Sequence, residues 1–185
     1  SVTIENVATK EVSELSADGV FIFTGMIPQT EKNADMGAAE TLAEFVKFGY
    51  EHYPAEHYGL ILWDHGGGSV SGYGYDEKKG SYAGAMNLTG ISKALKDADL
   101  KFDFIGFDAC LMATLENGLM LSKHADYMIA SEETEPGVGW YYTDWLTNLS
   151  KNTSMPTIEI GKQIADRNHA TVLYSVKAVQ DKMSV

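Results

Sequence analysis

The chain has 185 residues, of which 44% are hydrophobic and 22% are charged, so it can bury one sizeable core and does not require several domains. Its formal net charge is −12, from 14 Lys and Arg against 26 Asp and Glu, which argues against nucleic acid as a partner and suits cationic ones. The longest apolar runs fall far short of the roughly 20 residues that a membrane span needs. We therefore expect residues 1–185 to form a single domain with no membrane span.

The hydrophobic pattern predicts alternating strands and helices along the chain. We expect strands at 19–24, 58–63, 102–107 and 126–131, and helices at 37–53, 87–100, 111–123, 142–149 and 158–179. Glycine, serine and tyrosine are frequent in 69–84, which predicts an exposed loop or hairpin. The alternation is typical of an α/β fold with a parallel sheet and helices on both faces, where ligands bind beyond the carboxyl ends of the strands.

Two residues with catalytic chemistry follow neighbouring predicted strands. His65 comes after the strand 58–63, and Cys110, the one cysteine of the chain, follows the strand 102–107. A lone cysteine is often only a small buried side chain, but a thiol that ends a strand and opens a helix gains a helix dipole that favours the thiolate. His65 could then act as general base and acid, with the N–H groups of Gly66 and Gly67 facing an oxyanion.

Three segments around these residues resemble the clostripain family of cysteine peptidases. They are Trp63-Asp-His-Gly-Gly-Gly68, Ile105-Gly-Phe-Asp-Ala-Cys-Leu-Met112 and Ala130-Ser-Glu-Glu-Thr-Glu-Pro-Gly137, and the resemblance runs from about residue 35 to about residue 149. It implies a caspase-like α/β/α sandwich with a mainly parallel central sheet. It also implies a secreted or cell-surface bacterial endopeptidase that cuts proteins or peptides after Arg or Lys. Relatives usually begin with a further strand and helix, so we expect this chain to be a partial domain without them.

The resemblance places Asp108 in the primary specificity pocket. A buried carboxylate there would pair with a guanidinium or ammonium group and exclude neutral or acidic side chains. Alternatively, Asp108 could cap the helix predicted at 111–123. Some relatives carry an acidic residue where this chain has Val138, and Glu133 or Glu135 could supply that second charge. Asp108, Glu133 and Trp140 are the predicted substrate-binding residues.

Two further features follow from the resemblance. Precursors of this family are cut at a basic residue in the loop after the histidine, and Lys78 and Lys79 match that position, although they could equally be solvated residues of a hairpin. Calcium is the second feature, because the carboxylates of Glu132, Glu133 and Glu135 suit a hard cation, or form only a solvated turn. The chemistry itself requires no cofactor, and the metal ligands are unknown.

Two alternatives stay open at this point. A relative that has lost activity could bind basic peptides without cutting them, although the retained His65 and Cys110 argue against it. A caspase-like peptidase specific for Asn or Asp is the second alternative, and it would require a pocket different from the one that Asp108 implies.

Overall fold

The computed structural model describes residues 2–5, 12–15, 35–74, 76, 85–168 and 171–177. The elements in chain order are β1 (Val2–Glu5), β2 (Val12–Leu15), α1 (Ala39–His52), β3 (Gly59–Trp63), α2 (Gly68–Ser71), α3 (Leu88–Ala98), β4 (Phe102–Asp108), α4 (Leu115–Leu121), β5 (Ala125–Ser131), α5 (Tyr142–Lys151), α6 (Thr157–Arg167) and β6 (Thr171–Ser175). The predicted strand at 19–24 and the predicted processing residues Lys78 and Lys79 lie outside the described residues. No helix within the described ranges has the length and apolarity needed to cross a membrane.

The central sheet has the strand order β3-β4-β5-β6. The pairs β3–β4 and β4–β5 are parallel, and β6 pairs antiparallel with β5. A separate antiparallel pair is formed by β1 and β2. The expectation of a mainly parallel sheet is therefore confirmed, and the carboxyl ends of β3, β4 and β5 meet at one edge.

Two hydrophobic clusters cover the two faces of this sheet. Successive residues of β3 and β5 alternate between them: Leu60 and Leu62 belong to one cluster, and Ile61 belongs to the other. The first cluster takes buried side chains from α1, α3 and α4, and the second takes them from α5 and α6. Because the side chains of a strand point alternately to its two faces, the helices form layers on both sides of the sheet, as predicted.

The helix predicted at 111–123 starts later than expected. Leu111 adopts a φ of 63°, which a helix cannot accommodate, and the N–H of Ala113 donates to the carbonyl of Ser131 at 2.9 Å. The helix begins at Leu115, where the side chain of Thr114 accepts a hydrogen bond from a backbone N–H of the first turn. Pairing with the end of β5 and the loop after it therefore overrides helix propensity in residues 111–114.

The long helix predicted at 158–179 is also wrong in its second half. The helix ends at Arg167, and residues 171–175 form β6, which extends the sheet beside β5. This segment contains Thr, Val and Tyr, which favour strands, and its Leu173 packs against the second cluster. The apolar periodicity alone could not distinguish a helix from a strand in residues 171–175, because the pairing with β5 is a long-range interaction.

Candidate active site

The sheet brings His65 and Cys110 to the same edge. The last residues of β3 and β4 pair with each other in parallel register, and His65 and Cys110 each lie two residues further along. Gly66 packs directly on the cysteine loop, because a Cβ atom on Gly66 would collide with the carbonyl oxygen of Cys110 and lie 2.9 Å from Cγ of Met112. A glycine at position 66 is thus what allows the two loops to lie in contact.

The glycine loop after β3 is held by a short antiparallel bridge between Gly66 and Tyr73. The N–H of Gly74 donates to the carbonyl of His65 at 2.8 Å, and the N–H of Gly67 donates to the carbonyl of Gly72 at 2.9 Å. Of the two glycines predicted as oxyanion donors, Gly67 therefore has its N–H engaged within the loop. The bridge does not use the N–H of Gly66. The side chain of His65 is exposed.

Cys110 lies in a turn and does not open a helix. The prediction that a helix dipole stabilises the thiolate is therefore wrong, because α4 begins five residues after Cys110. The half-buried sulfur instead contacts the backbone of one residue, Glu135, in the loop after β5. The N–H of Glu135 donates to Sγ at 3.2 Å, and Sγ lies 3.8 Å from the carbonyl oxygen of the same residue.

The loop 132–140 runs beside the cysteine turn through backbone hydrogen bonds. The N–H of Leu111 donates to the carbonyl of Glu133 at 2.9 Å, and the N–H of Glu133 donates to Oγ of Ser131 at 3.2 Å. The side chain of Glu133, one of the predicted substrate-binding residues, is exposed. The backbone of Glu133 therefore has a defined structural role, while its carboxylate faces solvent.

Asp108 is almost completely buried, with 2% of its surface exposed. Its Oδ2 accepts a hydrogen bond from the N–H of Trp140 at 2.9 Å and another from the hydroxyl of Tyr142 at 2.8 Å. Its Oδ1 has no hydrogen-bond partner within the described residues. The alternative role as a helix cap is wrong, because Thr114 caps α4. A buried carboxylate oxygen without a partner is costly unless a ligand supplies one.

Burial raises the pKa of Asp108 above its ordinary value. The hydrogen bonds from Trp140 and Tyr142 act in the opposite direction, and the negative charge of Glu135 raises the pKa further. Burial and the nearby charge of Asp108 also raise the pKa of Tyr142, which keeps this hydroxyl protonated as a donor. The carboxylate thus lies where a cationic ligand would relieve both its desolvation and its repulsion from Glu135.

The backbone of Gly139 packs tightly against Asp108. Gly139 has a φ of 72°, and a Cβ atom on it would lie 2.7 Å from Oδ2 of Asp108 and 2.8 Å from Nε1 of Trp63. The absence of a side chain at position 139 therefore lets this backbone lie against both the Asp108 carboxylate and the Trp63 indole. Trp63 is 40% exposed, so this aromatic side chain joins the buried charge to the surface. Trp63 was not among the predicted site residues, although its register opposite Asp108 could have indicated it.

Trp140 and Glu135 lie behind the cysteine turn. The Trp140 ring packs over β4 at Gly106, where a Cβ atom would lie 2.9 Å from Cη2 of the indole. Its Nε1–H lies 3.4 Å from Oε1 of Glu135, and the same oxygen accepts a hydrogen bond from the hydroxyl of Thr171 at 2.6 Å. Thr171 could not be identified from the sequence, because it was assigned to a helix and belongs to none of the three motifs.

The acidic loop does not form a calcium site in the described part of the chain. Glu132 accepts a hydrogen bond from the hydroxyl of Tyr174, Glu135 binds Thr171, and Glu133 points to solvent. Within the described residues, no three His, Cys, Asp or Glu side chains converge as metal ligands. The three carboxylates therefore do not fit the coordination that calcium requires.

Comparison with known proteins defines the class of this chain. The model of the clostripain family, peptidase family C11, matches residues 2–185, and the chain belongs to that family. It is 28% identical over 141 residues to clostripain of Hathewaya histolytica, an alignment that covers 68% of this chain and 27% of that protein.

Solved structures agree with this assignment. A secreted C11 cysteine protease from Bacteroides thetaiotaomicron, solved with an irreversible peptide inhibitor, is 30% identical with a TM-score of 0.61, and the match covers 71% of this chain and 37% of that one. An inactive zymogen of a C11 protease from Parabacteroides distasonis is 23% identical with a TM-score of 0.66, covering 85% and 45% of the two chains, and it supports the fold. The chain thus spans between about a quarter and a half of the length of these relatives.

Proposed function

We propose that the protein is a cysteine endopeptidase that hydrolyses peptide bonds after Arg or Lys, with Cys110 as nucleophile and His65 as general base and acid. Family membership and the contact of their two loops support this pairing. The observation that carries the specificity is Asp108, a buried carboxylate two residues before the nucleophile whose Oδ1 has no partner in the described part of the chain.

The proposed reaction needs only side chains and backbone groups of this edge. The thiolate of Cys110 attacks the carbonyl carbon of the scissile bond, and the C=O electron pair moves to oxygen, where the N–H of Gly66 donates to it. His65 gives its proton to the departing amine, which leaves a thioester on Cys110. His65 then takes a proton from water as the water attacks the thioester, and the acid product leaves with the thiolate restored.

The proposed primary pocket is lined by Asp108, Trp63 and the backbone of Gly139. A guanidinium or ammonium group that reaches Oδ1 of Asp108 replaces the missing partner with a charge-assisted hydrogen bond. The exposed indole of Trp63 would cover the face of the same cation. Neutral and acidic side chains of Asn or Asp would leave the Asp108 charge uncompensated, so this geometry favours basic residues over the alternative specificity.

The test is fluorophore release from otherwise identical peptides that end in Arg, Lys, Asn or Asp. Full-length wild-type protein should cleave the Arg and Lys peptides, and Cys110→Ala should lower the rate by about 10⁴-fold or more. Asp97→Asn, an exposed carboxylate on α3, serves as the matched control for substitutions of Asp108 and should leave all rates unchanged. Cleavage of only the Asn or Asp peptide would overturn the specificity. Binding of basic peptides without cleavage or covalent labelling of Cys110 would favour the inactive relative.

Self-processing at Lys78 or Lys79 is part of this proposal. The described residues that flank this segment support it, because Tyr73 and Met86 exchange two backbone hydrogen bonds of 2.9 Å and bring the two ends together. These two ends lie beside the loop of His65, because the N–H of Gly74 donates to the carbonyl of His65. A double substitution of both lysines should leave the protein as one chain and reduce its activity. If activity and chain number stay the same as in wild type, this site is not used.

Localisation and calcium are the remaining parts of the proposal. A C11 relative from Bacteroides thetaiotaomicron is secreted, and we infer the same for the protein that carries this chain, with proteins or peptides rich in basic residues as substrates. Cys110 and His65 require no metal for their chemistry. Repeating the Arg assay in calcium and in chelator tests for a calcium dependence. Such a dependence would have to act through residues outside the loop 132–135, because the carboxylates of Glu132 and Glu135 are hydrogen-bonded to Tyr174 and Thr171.

A further inference from the structure

The sulfur of Cys110 has a hydrogen-bond donor in the backbone of the loop after β5. This donor takes the role that the sequence had suggested for a helix dipole. The backbone N–H of Glu135 lies 3.2 Å from Sγ, closer than the carbonyl oxygen of the same residue at 3.8 Å. A neutral thiol can donate to that carbonyl, whereas a thiolate can only accept. The N–H bond becomes charge-assisted when the proton leaves, and such bonds are roughly twice as strong as neutral ones. The contact therefore favours the nucleophilic form.

The backbone of Glu135 is held on both of its sides, and before it the carbonyl of Glu133 accepts a hydrogen bond from the N–H of Leu111. Pro136 follows Glu135, and a residue before proline is restricted to extended conformations. The loop then closes through a hydrogen bond from the N–H of Gly139 to the carbonyl of Pro136 at 2.9 Å, and the buried bond from Trp140 to Asp108 holds its far end. The position of the amide is therefore set by the loop and does not depend on a bound ligand.

The side chain of Glu135 ties this loop to the last strand of the sheet. Its Oε1 accepts the hydroxyl of Thr171 at 2.6 Å, and Thr171 is itself buried at the start of β6. The carboxylate charge works against a neighbouring anion, so its value to the site cannot be electrostatic support of the thiolate. A hydrogen-bonding role as an anchor explains why an acidic side chain is present so near the nucleophile.

We propose that Glu135 is a positioning residue, which, anchored by Thr171, holds its own backbone N–H against Sγ of Cys110 as the donor that stabilises the thiolate. This inference rests on the proposed function, in which Cys110 is the nucleophile. It assigns to the loop after β5 the activation that the sequence had suggested for the helix after the cysteine.

The experiment measures alkylation of Cys110 by iodoacetamide in the full-length protein, read on the peptide that contains Cys110 by mass spectrometry. The quantity compared between variants is the ratio of the rate at about pH 6.5 to the rate at about pH 9, because only the thiolate is alkylated. A change in access alone lowers both rates together and leaves this ratio unchanged. Loss of the donor lowers the ratio.

The variants separate anchoring from charge. Thr171→Val and Glu135→Ala break the anchor, and each should lower the ratio by roughly 3- to 10-fold, the effect of weakening one hydrogen bond to a charged group. Thr171→Ser and Glu135→Gln keep a hydroxyl and an acceptor oxygen, so the ratio should stay at the wild-type value or, for Glu135→Gln, rise. Thr147→Val, on the exposed face of α5, is the matched control.

An unchanged ratio in Thr171→Val would overturn the proposal, and so would an equal fall in Glu135→Gln and Glu135→Ala, because the charge alone would then explain the effect. Circular dichroism confirms that each variant is folded, and Glu135→Ala, compared with Glu135→Gln, retains the test if Thr171→Val does not fold. Alkylation needs no turnover. A protein with the expected ratios and no peptidase activity would contradict the proposed function and leave this inference standing.

Discussion

The carboxyl ends of β3 and β4 lie side by side, but different forces hold them. After β4, a buried carboxylate and a half-buried thiol are fixed by hydrogen bonds to the loop 132–140. After β3, the exposed His65 belongs to a loop of glycines whose close approach to Cys110 depends on the absence of a side chain at Gly66. The end of β4 is held by hydrogen bonds to its side chains, and the end of β3 is held by backbone hydrogen bonds and close backbone packing.

This difference separates recognition from alignment. Substitutions on the β4 side remove polar groups that would contact the substrate cation, so they should change which peptides are bound. Substitutions in the glycine loop after β3 displace the loop that carries His65 and should slow every substrate alike. A displacement of 1 Å in a catalytic group can cost about 10²-fold in rate.

Asp108→Asn should have the largest effect. It removes the charge that pairs with the substrate cation while keeping an oxygen for the hydrogen bonds from Trp140 and Tyr142. Breaking a buried charge pair costs about 3–5 kcal/mol, so kcat/KM for Arg and Lys peptides should fall by roughly 10²- to 5 × 10³-fold. Steady-state kinetics measure it. A variant that cleaves Arg peptides as well as Asp97→Asn does would show that recognition lies elsewhere.

The same carboxylate predicts a pH dependence of binding. Its pKa is raised, mainly by burial, so it loses its charge at a higher pH than an ordinary aspartate does. Binding of benzamidine, a small arginine mimic that takes no part in the chemistry, should weaken as the pH falls through this raised pKa. Inhibition constants measured against pH should show the loss in wild type and a weak, flat profile in Asp108→Asn. A wild-type profile that falls only below the ordinary aspartate pKa would contradict it.

The raised pKa of Asp108 also predicts how the stability of the folded protein changes with pH. Because the folded state holds this proton more tightly than the unfolded state, the contribution of Asp108 to stability is lost as the pH rises from the ordinary aspartate value through the raised pKa. Asn carries no such charge. Thermal denaturation at neutral pH should therefore show Asp108→Asn to be at least as stable as wild type, despite its loss of activity.

Gly66→Ala should have the next largest effect, and it should act on every substrate. The added methyl group would collide with the carbonyl of Cys110, a backbone atom that cannot rotate away. We expect kcat to fall by about 10²-fold or more, as for a displaced catalytic group, with the preference among Arg and Lys peptides unchanged. Gly137→Ala is the control, since a Cβ atom there has nothing within 4 Å. A selective loss for one peptide would contradict the division between alignment and recognition.

The sequence predicted the parts of this site that depend on local pattern. Buried strands followed by His65 and Cys110 were sufficient for the parallel sheet and for the common edge, because both are repeated features of neighbouring segments. The conformation after Cys110 could not be predicted, since the positive φ of Leu111 is imposed by pairing with the loop after β5. The anchor between Glu135 and Thr171 joins residues 36 positions apart and has no signal in either segment.

Trp63→Leu should produce a smaller and selective change on the recognition side. An indole over a partly exposed cation contributes about 0.5–1 kcal/mol, and a guanidinium stacks on it better than an ammonium group does. The ratio of kcat/KM for Arg peptides to that for Lys peptides should therefore fall by roughly 2- to 5-fold. Trp63→Phe retains an aromatic face and should keep most of the preference. Equal losses for both peptides would place Trp63 on the alignment side.

Leu111→Asn should have the smallest effect, and it should increase the free energy of unfolding. Leucine in the left-handed region costs roughly 1–2 kcal/mol, whereas asparagine tolerates it, and the Leu111 side chain is 43% exposed, so little apolar burial is lost. Chemical denaturation should show a gain of up to about 1 kcal/mol with kcat nearly unchanged, because the N–H of residue 111 still donates to Glu133. A more stable variant that is also much slower would mean that the leucine itself contacts the substrate, and that the β4 side extends recognition beyond the charged pocket.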